Sequence, residues 1–241
     1  MTCSFVCTFE TNHQVTNLEA GTDNVACVFA WQGSCGPVDL MITDRTLDLL
    51  DDDDLATVAQ AMSVGSIATM RQVHGADVAR VADSSYSPPA DALVTDVRDL
   101  GLVVRVADCV PVVLVAPDAG LVSVAHAGRR GLVAGVVPAA VSALRDQGAT
   151  DIQSWIGPHV CGRCYELPQD MADEVAAAVP AARATTSAGT PGADLGAGVR
   201  SQLDALDVDV HDVSACTMED ERFFSHRRGD VGRFGAVAVV R

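Results

Sequence analysis

The sequence predicts an α/β protein in which strands and helices pack as layers within a single domain, residues 1–241. Three observations lead to this prediction. Short apolar runs rich in valine alternate along the chain with segments of helical hydrophobic periodicity. Hydrophobic residues make up 49% of the 241 positions, which is enough to bury a sizeable core. No internal repeat or transmembrane linker divides the chain, so we expect one unit.

Strands are predicted where apolar residues alternate with polar ones or follow one another without a break. These segments are 4–9, 26–31, 70–81, 91–96, 102–106, 110–116, 121–125, a segment that begins at 154, 208–213 and 236–240. The first two are joined by a polar turn around Gly21. Within 70–81, His74 and Gly75 interrupt the pattern, and a glycine inside a strand indicates a bulge.

Helices are predicted where apolar residues recur every three or four positions. These segments are 55–62, 132–147, 171–182 and 195–206. The acidic residues 51–54 precede the first helix, where negative charge complements the helix dipole. Turns or loops are predicted at 33–37, 84–90 and 184–192, and the last of these is the candidate for mobility.

The charged residues exclude several classes of function. Acidic residues number 32 and basic residues 16, and every basic residue is arginine because the sequence has no lysine. A lysine Schiff base and a Walker-type phosphate loop are therefore excluded. The net charge of −16 argues against a nucleic-acid or anionic-membrane partner. An anionic substrate has to be bound locally by arginine.

The eight cysteines are scattered through a chain too large to depend on disulfides. They occupy positions 3, 7, 27, 35, 109, 161, 164 and 216. No apolar run has membrane-spanning length, and the N-terminus lacks the basic start and apolar stretch of a signal peptide. We therefore expect a cytoplasmic protein with free thiols. Cys161 and Cys164 form a single C-x-x-C, a poor structural zinc site without a second pair, and predict a turn lined with thiols.

A predicted β-hairpin is the centre of the candidate site. The apolar runs Val110–Ala116 and Leu121–Ala125 flank a short polar turn at Pro117–Gly120. If the turn is centred between its two middle residues, Pro111 lies opposite His126. The open end of the hairpin therefore carries His126.

Cys109 lies two residues before Pro111 and shares a face of the hairpin with His126. A thiolate and an imidazole on rigid strands are either metal ligands or a nucleophile and its base. A third ligand is then needed, and His74 is the candidate. The glycine-rich entry to the next helix suits an anion, with Arg129 and Arg130 adding positive charge.

Short motifs in a fixed order give the chain a family resemblance. They are Gln72-Val-His-Gly75, Ala107-Asp-Cys-Val-Pro111, Ala125-His-Ala-Gly128 with Arg130-Gly131, Ile156-Gly-Pro158 with Cys164-Tyr-Glu166, Cys216-Thr217, and Phe224-Ser with Arg227-Arg228 and Gly232-Arg233. On these motifs the chain resembles the YfiH-type family, also called laccase-domain proteins, polyphenol oxidases, purine nucleoside phosphorylases or peptidoglycan editing factors. Arg129 and His226 stand where that family usually has tryptophan and tyrosine.

The resemblance implies an α/β/β/α layered sandwich with mixed sheets and a zinc ion, or alternatively copper, bound by His74, Cys109 and His126. It also implies phosphorolysis of adenosine, inosine or methylthioadenosine, and deamination of adenosine. The expected partners are a purine nucleoside and phosphate. A metal-bound hydroxide would attack the purine in deamination.

Further residues are predicted to act beside the metal ligands. Arg130 and Arg228 are the candidates for carrying the phosphate charge, and Tyr165 is a candidate substrate contact. Asp108 is either a general base or the residue that fixes a ligand.

Three other hypotheses remain open. Cys109 with His126 as base would make a cysteine hydrolase, for example one that edits peptidoglycan precursors. A multicopper oxidase is disfavoured because it needs many clustered histidines and the chain has six. A purely structural zinc would require a fourth ligand such as Cys161 or Cys164.

Overall fold

The computed structural model describes residues 29–241. In chain order its elements are β1 (Phe29–Cys35), β2 (Val38–Thr43), α1 (Asp52–Ala61), β3 (Ser66–Ala68), β4 (Val78–Arg80), β5 (Ala92–Thr95), β6 (Leu100–Val106), β7 (Val110–Ala116), β8 (Leu121–Ala127), α2 (Arg129–Ala134), α3 (Val136–Arg145), β9 (Gln153–Ile156), α4 (Gln169–Ala178), β10 (Arg183–Thr185), β11 (Pro191–Ala193), α5 (Leu195–Asp204), β12 (Asp209–Asp212) and β13 (Phe234–Val240).

Two mixed sheets form the middle of the molecule. One has the strand order β1-β2-β13-β6-β3 and the other β12-β9-β7-β8-β5-β4, while β10 and β11 form a separate small hairpin. Both large sheets contain antiparallel and parallel pairs; β3 pairs with β6 in parallel, and β4 with β5.

Three apolar clusters separate four layers. One lies between α1 and the five-stranded sheet, where Val58 meets Val237. The second lies between the sheets and contains Val113 and Ala238. The third lies between the six-stranded sheet and α2–α5, where Val112 joins Leu144. The order helix, sheet, sheet, helix confirms the predicted α/β/β/α sandwich with mixed sheets.

The hairpin β7–β8 is in the middle of the six-stranded sheet, so layers cover both its faces. All seven residues of each strand are buried, which explains the unbroken apolar runs in the sequence. Pro111 pairs with His126, and this confirms the predicted register. Odd and even positions of β7 contribute to different clusters, because successive side chains point to opposite faces.

Two predicted elements are wrong. The single strand at 70–81 is a loop followed by the short β4, because the backbone N–H groups of residues 73–75 point to the Asp91 carboxylate. The single helix at 132–147 is split into α2 and α3. Gly135 adopts a φ of +83°, which ends α2 as a left-handed C-cap.

Other element boundaries also differ from prediction. The turn expected at 33–37 is shorter, since β1 continues to Cys35 and only Gly36 and Pro37 connect it to β2. The sequence pattern does not predict β2. The loop 184–192 begins and ends in the β10–β11 hairpin. Helix α4 stops at Ala178, ahead of a 3-10 turn that starts at Pro180.

Some predictions lie outside the described residues. They are the strand at 4–9, the turn around Gly21 and the thiols of Cys3, Cys7 and Cys27. In the part of the chain that the structure describes, no helix is long and apolar enough to cross a membrane.

Candidate metal centre

The three predicted metal ligands meet at one point. His74, Cys109 and His126 each offer a ligand atom, and these atoms lie within 4.8 Å of one another. Cys109 directly precedes β7, His126 lies on β8 and His74 comes from the loop between β3 and β4. His126 is buried, Cys109 is partly buried and His74 is exposed, so one side of the cluster faces solvent.

A buried carboxylate holds the loop that carries His74. The Asp91 side chain accepts hydrogen bonds from the backbone N–H groups of Val73 (3.2 Å), His74 (2.9 Å) and Gly75 (2.6 Å). His74 has a φ of +61°, a conformation that non-glycine residues rarely adopt and that this network stabilises. The direction of the His74 ring therefore depends on Asp91.

Asp91 also orients His126. The Nδ1 atom of His126 lies 2.8 Å from Asp91 Oδ1, and the backbone N–H of His126 donates to the Asp91 carbonyl at 2.7 Å. A carboxylate partner assigns the proton to Nδ1, so Nε2 keeps a lone pair for a metal. The sequence motifs do not predict this role of Asp91. The available signal was a carboxylate immediately before the wholly buried strand β5.

The electrostatics of the cluster favour a thiolate. Burial acts to raise the pKa of the Cys109 thiol, but hydrogen bonds from His126 and His74 outweigh burial and lower it to about 6. Burial acts to lower the pKa of His126, and its bonds to Asp91 and Cys109 instead raise it to about 9. Without a metal, Cys109 and His126 thus form a thiolate–imidazolium pair at neutral pH.

Gly128 leaves room beside the three ligands. A Cβ added at Gly128 would lie 3.0 Å from both Cys109 Sγ and His74 Cδ2, and 3.6 Å from His126 Cε1. The residue also caps the N-terminus of α2. Glycine at this position therefore lets the backbone pass close to the ligands without displacing them.

The Asp108 carboxylate is fully engaged. Its Oδ1 accepts from Thr217 Oγ1 at 2.6 Å and its Oδ2 accepts from the backbone N–H of Arg227 at 2.7 Å. Asp108 also has a positive φ of 86° and is buried. The residue joins the start of β7 to two later loops, directly beside Cys109.

The two arginines predicted to bind phosphate are in different states. Arg228 donates to the carbonyl of Thr217 at 2.7 Å, to the Asp230 carboxylate at 2.7 Å and to the carbonyl of Phe223. Arg130 is exposed at the start of α2, and within residues 29–241 its side chain makes no hydrogen bond or ion pair. Only Arg130 therefore has its guanidinium free for a ligand among these two.

The Arg227 guanidinium lies over the ring of Tyr165. The Arg227 guanidinium carbon lies 4.5 Å from the centre of the Tyr165 ring, and its Nη1 donates to the carbonyl of Glu166 at 2.8 Å. Burial and the charge of Cys109 raise the pKa of Tyr165, while Arg227 and Arg129 act to lower it. The sequence predicts Tyr165 and the neighbouring Arg228 as site residues, but not Arg227.

Cys161 and Cys164 do not approach the His74 cluster. In the described residues they gather instead with Cys216 and Glu219, as a separate group whose ligand atoms lie within 4.8 Å of one another. The idea that either thiol closes a four-ligand sphere around the first site is therefore wrong. The described part of the chain gives the first site three ligands.

Comparisons with known proteins identify the family. Residues 43–241 match the model of the family described as multi-copper polyphenol oxidoreductase laccase. The chain belongs to this family. A purine nucleoside phosphorylase of Streptomyces coelicolor is 50% identical over 184 residues, which are 73% of this chain and 75% of that protein. One of Mycobacterium tuberculosis is 43% identical over 204 residues, 79% of this chain and 82% of its own length.

Solved structures of family members have the same fold. YlmD of Geobacillus stearothermophilus gives a TM-score of 0.78 at 28% identity, covering 89% of this chain and 99% of that one. A Neisseria meningitidis protein of the DUF152 type gives 0.74 at 26% identity, covering 86% and 96%. The resemblance to YfiH-type proteins is therefore confirmed.

Proposed function

We propose that this member of the laccase-type family is a zinc-dependent purine nucleoside phosphorylase acting on adenosine, inosine and methylthioadenosine, and that it also deaminates adenosine. The observation that carries the proposal is the three-ligand His74–Cys109–His126 group, which is open to solvent at His74. Tyr165 is within electrostatic range of Cys109, and Arg227 and Arg129 are close to Tyr165. The names of relatives up to 53% identical support the phosphorylase assignment. We further propose that the protein works in the cytoplasm.

The donor set fits zinc. Two imidazole nitrogens and one thiolate are ligands that Zn²⁺ accepts, and three protein ligands leave a fourth position for water or substrate. A zinc ion bound there would polarise a substrate oxygen or acidify a bound water. Asp91 fixes both histidines, and Gly128 leaves the space that close ligands need. Copper is the alternative metal, since it competes well for the same ligands.

The residues around the ligands suit an anionic and aromatic substrate. We propose that Arg130 binds phosphate, because its guanidinium is exposed at the N-terminus of α2. The Tyr165–Arg227 pair offers a flat surface and a positive charge for a purine nucleoside. Arg228 and Asp108 are proposed to hold Tyr165 and Arg227 in position rather than to contact the substrate. The polar atoms of both side chains are hydrogen-bonded to Thr217 and to the loop 223–230.

The experiment measures both proposed reactions. Protein of known zinc content is incubated with adenosine, inosine or methylthioadenosine, with and without phosphate, and free base and ammonia are quantified. Phosphate-dependent release of base supports phosphorolysis, and ammonia from adenosine supports deamination. If no free base and no ammonia form at any substrate concentration, the nucleoside assignment is refuted. The proposed metal site is not affected by that result.

Arg130→Ala tests the phosphate site. We expect the KM for phosphate to rise about tenfold or more, as for loss of a charged hydrogen bond, with a smaller change in the KM for nucleoside. Arg98→Ala is the matched control. Arg98 is also an exposed arginine, and its backbone pairs with Val240 at the C-terminal end of β13. Equal effects of the two substitutions would contradict the role of Arg130.

A cysteine hydrolase acting on an amide, such as a peptidoglycan precursor, is the second candidate. It is favoured by the line Asp91–His126–Cys109, in which a carboxylate orients an imidazole beside a thiolate. Alkylation of Cys109 in zinc-loaded protein separates the two. Bound zinc occupies the thiolate and slows alkylation, whereas a free nucleophile reacts quickly and loses activity.

A further inference from the structure

A second group of potential ligands lies apart from the proposed active site. Cys161, Cys164, Cys216 and Glu219 each offer one ligand atom, and all four atoms lie within 4.8 Å of one another. Tetrahedral zinc with bonds of about 2.3 Å to sulfur places neighbouring sulfurs roughly 3.8 Å apart. The four side chains are therefore already at the separation that a small shift would convert into a coordination sphere.

Two loops bring these side chains together, and their backbones are fixed independently of any metal. Residues 161–165 form a tight turn in which the N–H groups of Cys164 and Tyr165 both donate to the Cys161 carbonyl at 3.0 Å. In the second loop, the N–H groups of Glu219 and Asp220 donate to the Cys216 carbonyl at 3.1 and 2.8 Å. The ligand positions are thus set before an ion binds.

Direct contacts also join the two loops. His159 and Cys216 form a parallel bridge, and the backbone N–H of Cys161 points at Cys216 Sγ at 3.5 Å. The thiol of Cys164 lies 3.6 Å from a Glu219 oxygen. N–H groups that point at sulfur are the usual environment of a metal-bound thiolate, since they stabilise its negative charge.

The local charge and burial suit a cation. Three thiolates and one carboxylate would carry four negative charges, which a cation would offset. One positive group is close, since Arg163 Nη2 lies 3.3 Å from Glu219 Oε2. The three cysteines are partly buried and Glu219 is exposed, so the sulfur side is shielded while the fourth ligand lies at the rim. A set of four ligands with no open position is typical of a structural zinc site rather than a catalytic one.

We propose that Cys161, Cys164, Cys216 and Glu219 bind a second, structural Zn²⁺ ion. On binding, the three thiol protons are released to solvent and no redox change occurs. The ion links the loop that carries Tyr165 to the loop that carries Thr217, and Thr217 in turn donates to Asp108 beside Cys109. The second ion therefore holds the loops of Tyr165 and Thr217 in place near the first site, without contacting His74, Cys109 or His126.

Metal stoichiometry tests the proposal. Full-length protein is stripped with a chelator under reducing conditions, reloaded with Zn²⁺, desalted and analysed for zinc per chain. We expect Cys164→Ser to bind one equivalent less than the wild type, and Cys35→Ser, a partly buried free thiol outside both groups, to bind the same amount. The difference between variants is the readout, so thiols outside the described residues do not affect it.

Cobalt substitution identifies which site is lost. Thiolate-to-Co²⁺ charge-transfer absorption grows with the number of sulfur ligands, so the second site should contribute about three times the absorption of the first. Cys109→Ser should remove the smaller share and Cys164→Ser the larger. Equal zinc uptake by Cys164→Ser and wild type, or equal loss of absorption in the two variants, would overturn the proposal.

Glu219→Gln tests the fourth ligand without altering a thiol. The side chain is exposed, so we expect folding to be unaffected and the affinity of the second equivalent to fall at least tenfold in competition with a chelator. Glu221→Gln, an exposed neighbour, is the matched control. Unchanged affinity would remove Glu219 from the site. The site as a whole would be overturned if two of the three cysteines kept a disulfide under reducing conditions and the group took up no zinc.

Discussion

Asp91 is the residue on which the geometry of the first site depends. It is fully buried and binds both histidine-bearing segments, through three backbone N–H groups on one side and His126 Nδ1 on the other. Burial acts to raise the pKa of the Asp91 carboxyl, but these hydrogen bonds outweigh burial and lower it. The side chain therefore stays ionised at neutral pH and holds the proton of His126 on Nδ1.

Asp91→Asn should weaken zinc binding at the first site by about 10–100-fold, because an amide cannot impose the same tautomer and also accept three N–H groups. Zinc affinity is measured by competition with a chelator in a background that carries Cys164→Ser. Asp96→Asn is the matched control, since Asp96 lies at the other end of β5 and is exposed. Loss of the same size in both variants would contradict the role of Asp91.

The pKa of Cys109 predicts a pH profile for the metal-free protein. Alkylation requires the thiolate, which exists above the pKa of about 6, so the rate should rise through pH 6 and change little from pH 7 to 8.5. In urea the midpoint should move towards about 8.5, the value of an ordinary thiol. Iodoacetamide labelling followed by peptide mass spectrometry gives the rate at Cys109 alone. A folded-state midpoint above pH 8 would refute the thiolate–imidazolium pair.

Arg130 lies on the short helix α2, which Gly135 separates from α3. Helix α2 begins directly after Gly128, beside the candidate metal ligands, and ends at Gly135 in the left-handed conformation with φ of +83°. The chain then restarts as α3, whose apolar face packs on the six-stranded sheet. The break therefore separates the helix that begins at the site from the helix that covers the sheet.

Gly135→Ala should destabilise the protein by about 1 kcal/mol, because alanine disfavours the left-handed conformation. No atom lies within 4 Å of a Cβ placed there, so the effect is conformational rather than steric. Gly65→Ala is the matched control, because its Cβ would also meet open space and its φ is not positive. Urea denaturation measures both. A neutral Gly135→Ala would show that the left-handed cap is not required.

Strand β13 has a central position in the five-stranded sheet and is paired on both sides. β13 lies between β2 and β6 in the five-stranded sheet, and its residues alternate between the α1 layer and the space between the sheets. Val237 pairs with Met41 on one side and Val103 on the other. Folding of this sheet therefore requires segments about 200 residues apart to meet, as Met41 and Val237 show.

Val237→Asp should destabilise the protein by more than about 3 kcal/mol, because an unpaired carboxylate would be buried between β13 and α1. Val231→Asp is the matched control at a valine that is 85% exposed, and it should change stability by less than about 0.5 kcal/mol. Urea unfolding followed by circular dichroism compares the two. Similar midpoints would contradict the central position of β13.

Features that depend on neighbouring residues can be predicted from the order of amino acids alone. Hydrophobic alternation and turn chemistry predicted the β7–β8 hairpin with its register, and N-terminal acids predicted α1, because the information for these elements lies within 10 to 20 neighbouring residues. Family motifs supplied the three candidate metal ligands, which the structure brings together, and the layered fold.

Features that depend on residues far apart in the chain become visible only in the folded molecule. The role of Asp91, the loop at His74 and the gathering of Cys216 and Glu219 around the C-x-x-C arise from contacts over 16 to 55 positions. Such contacts leave no local periodicity. Arg130 and Arg228 are equally arginines in the sequence, and only packing shows that one is free for a ligand and the other holds a loop.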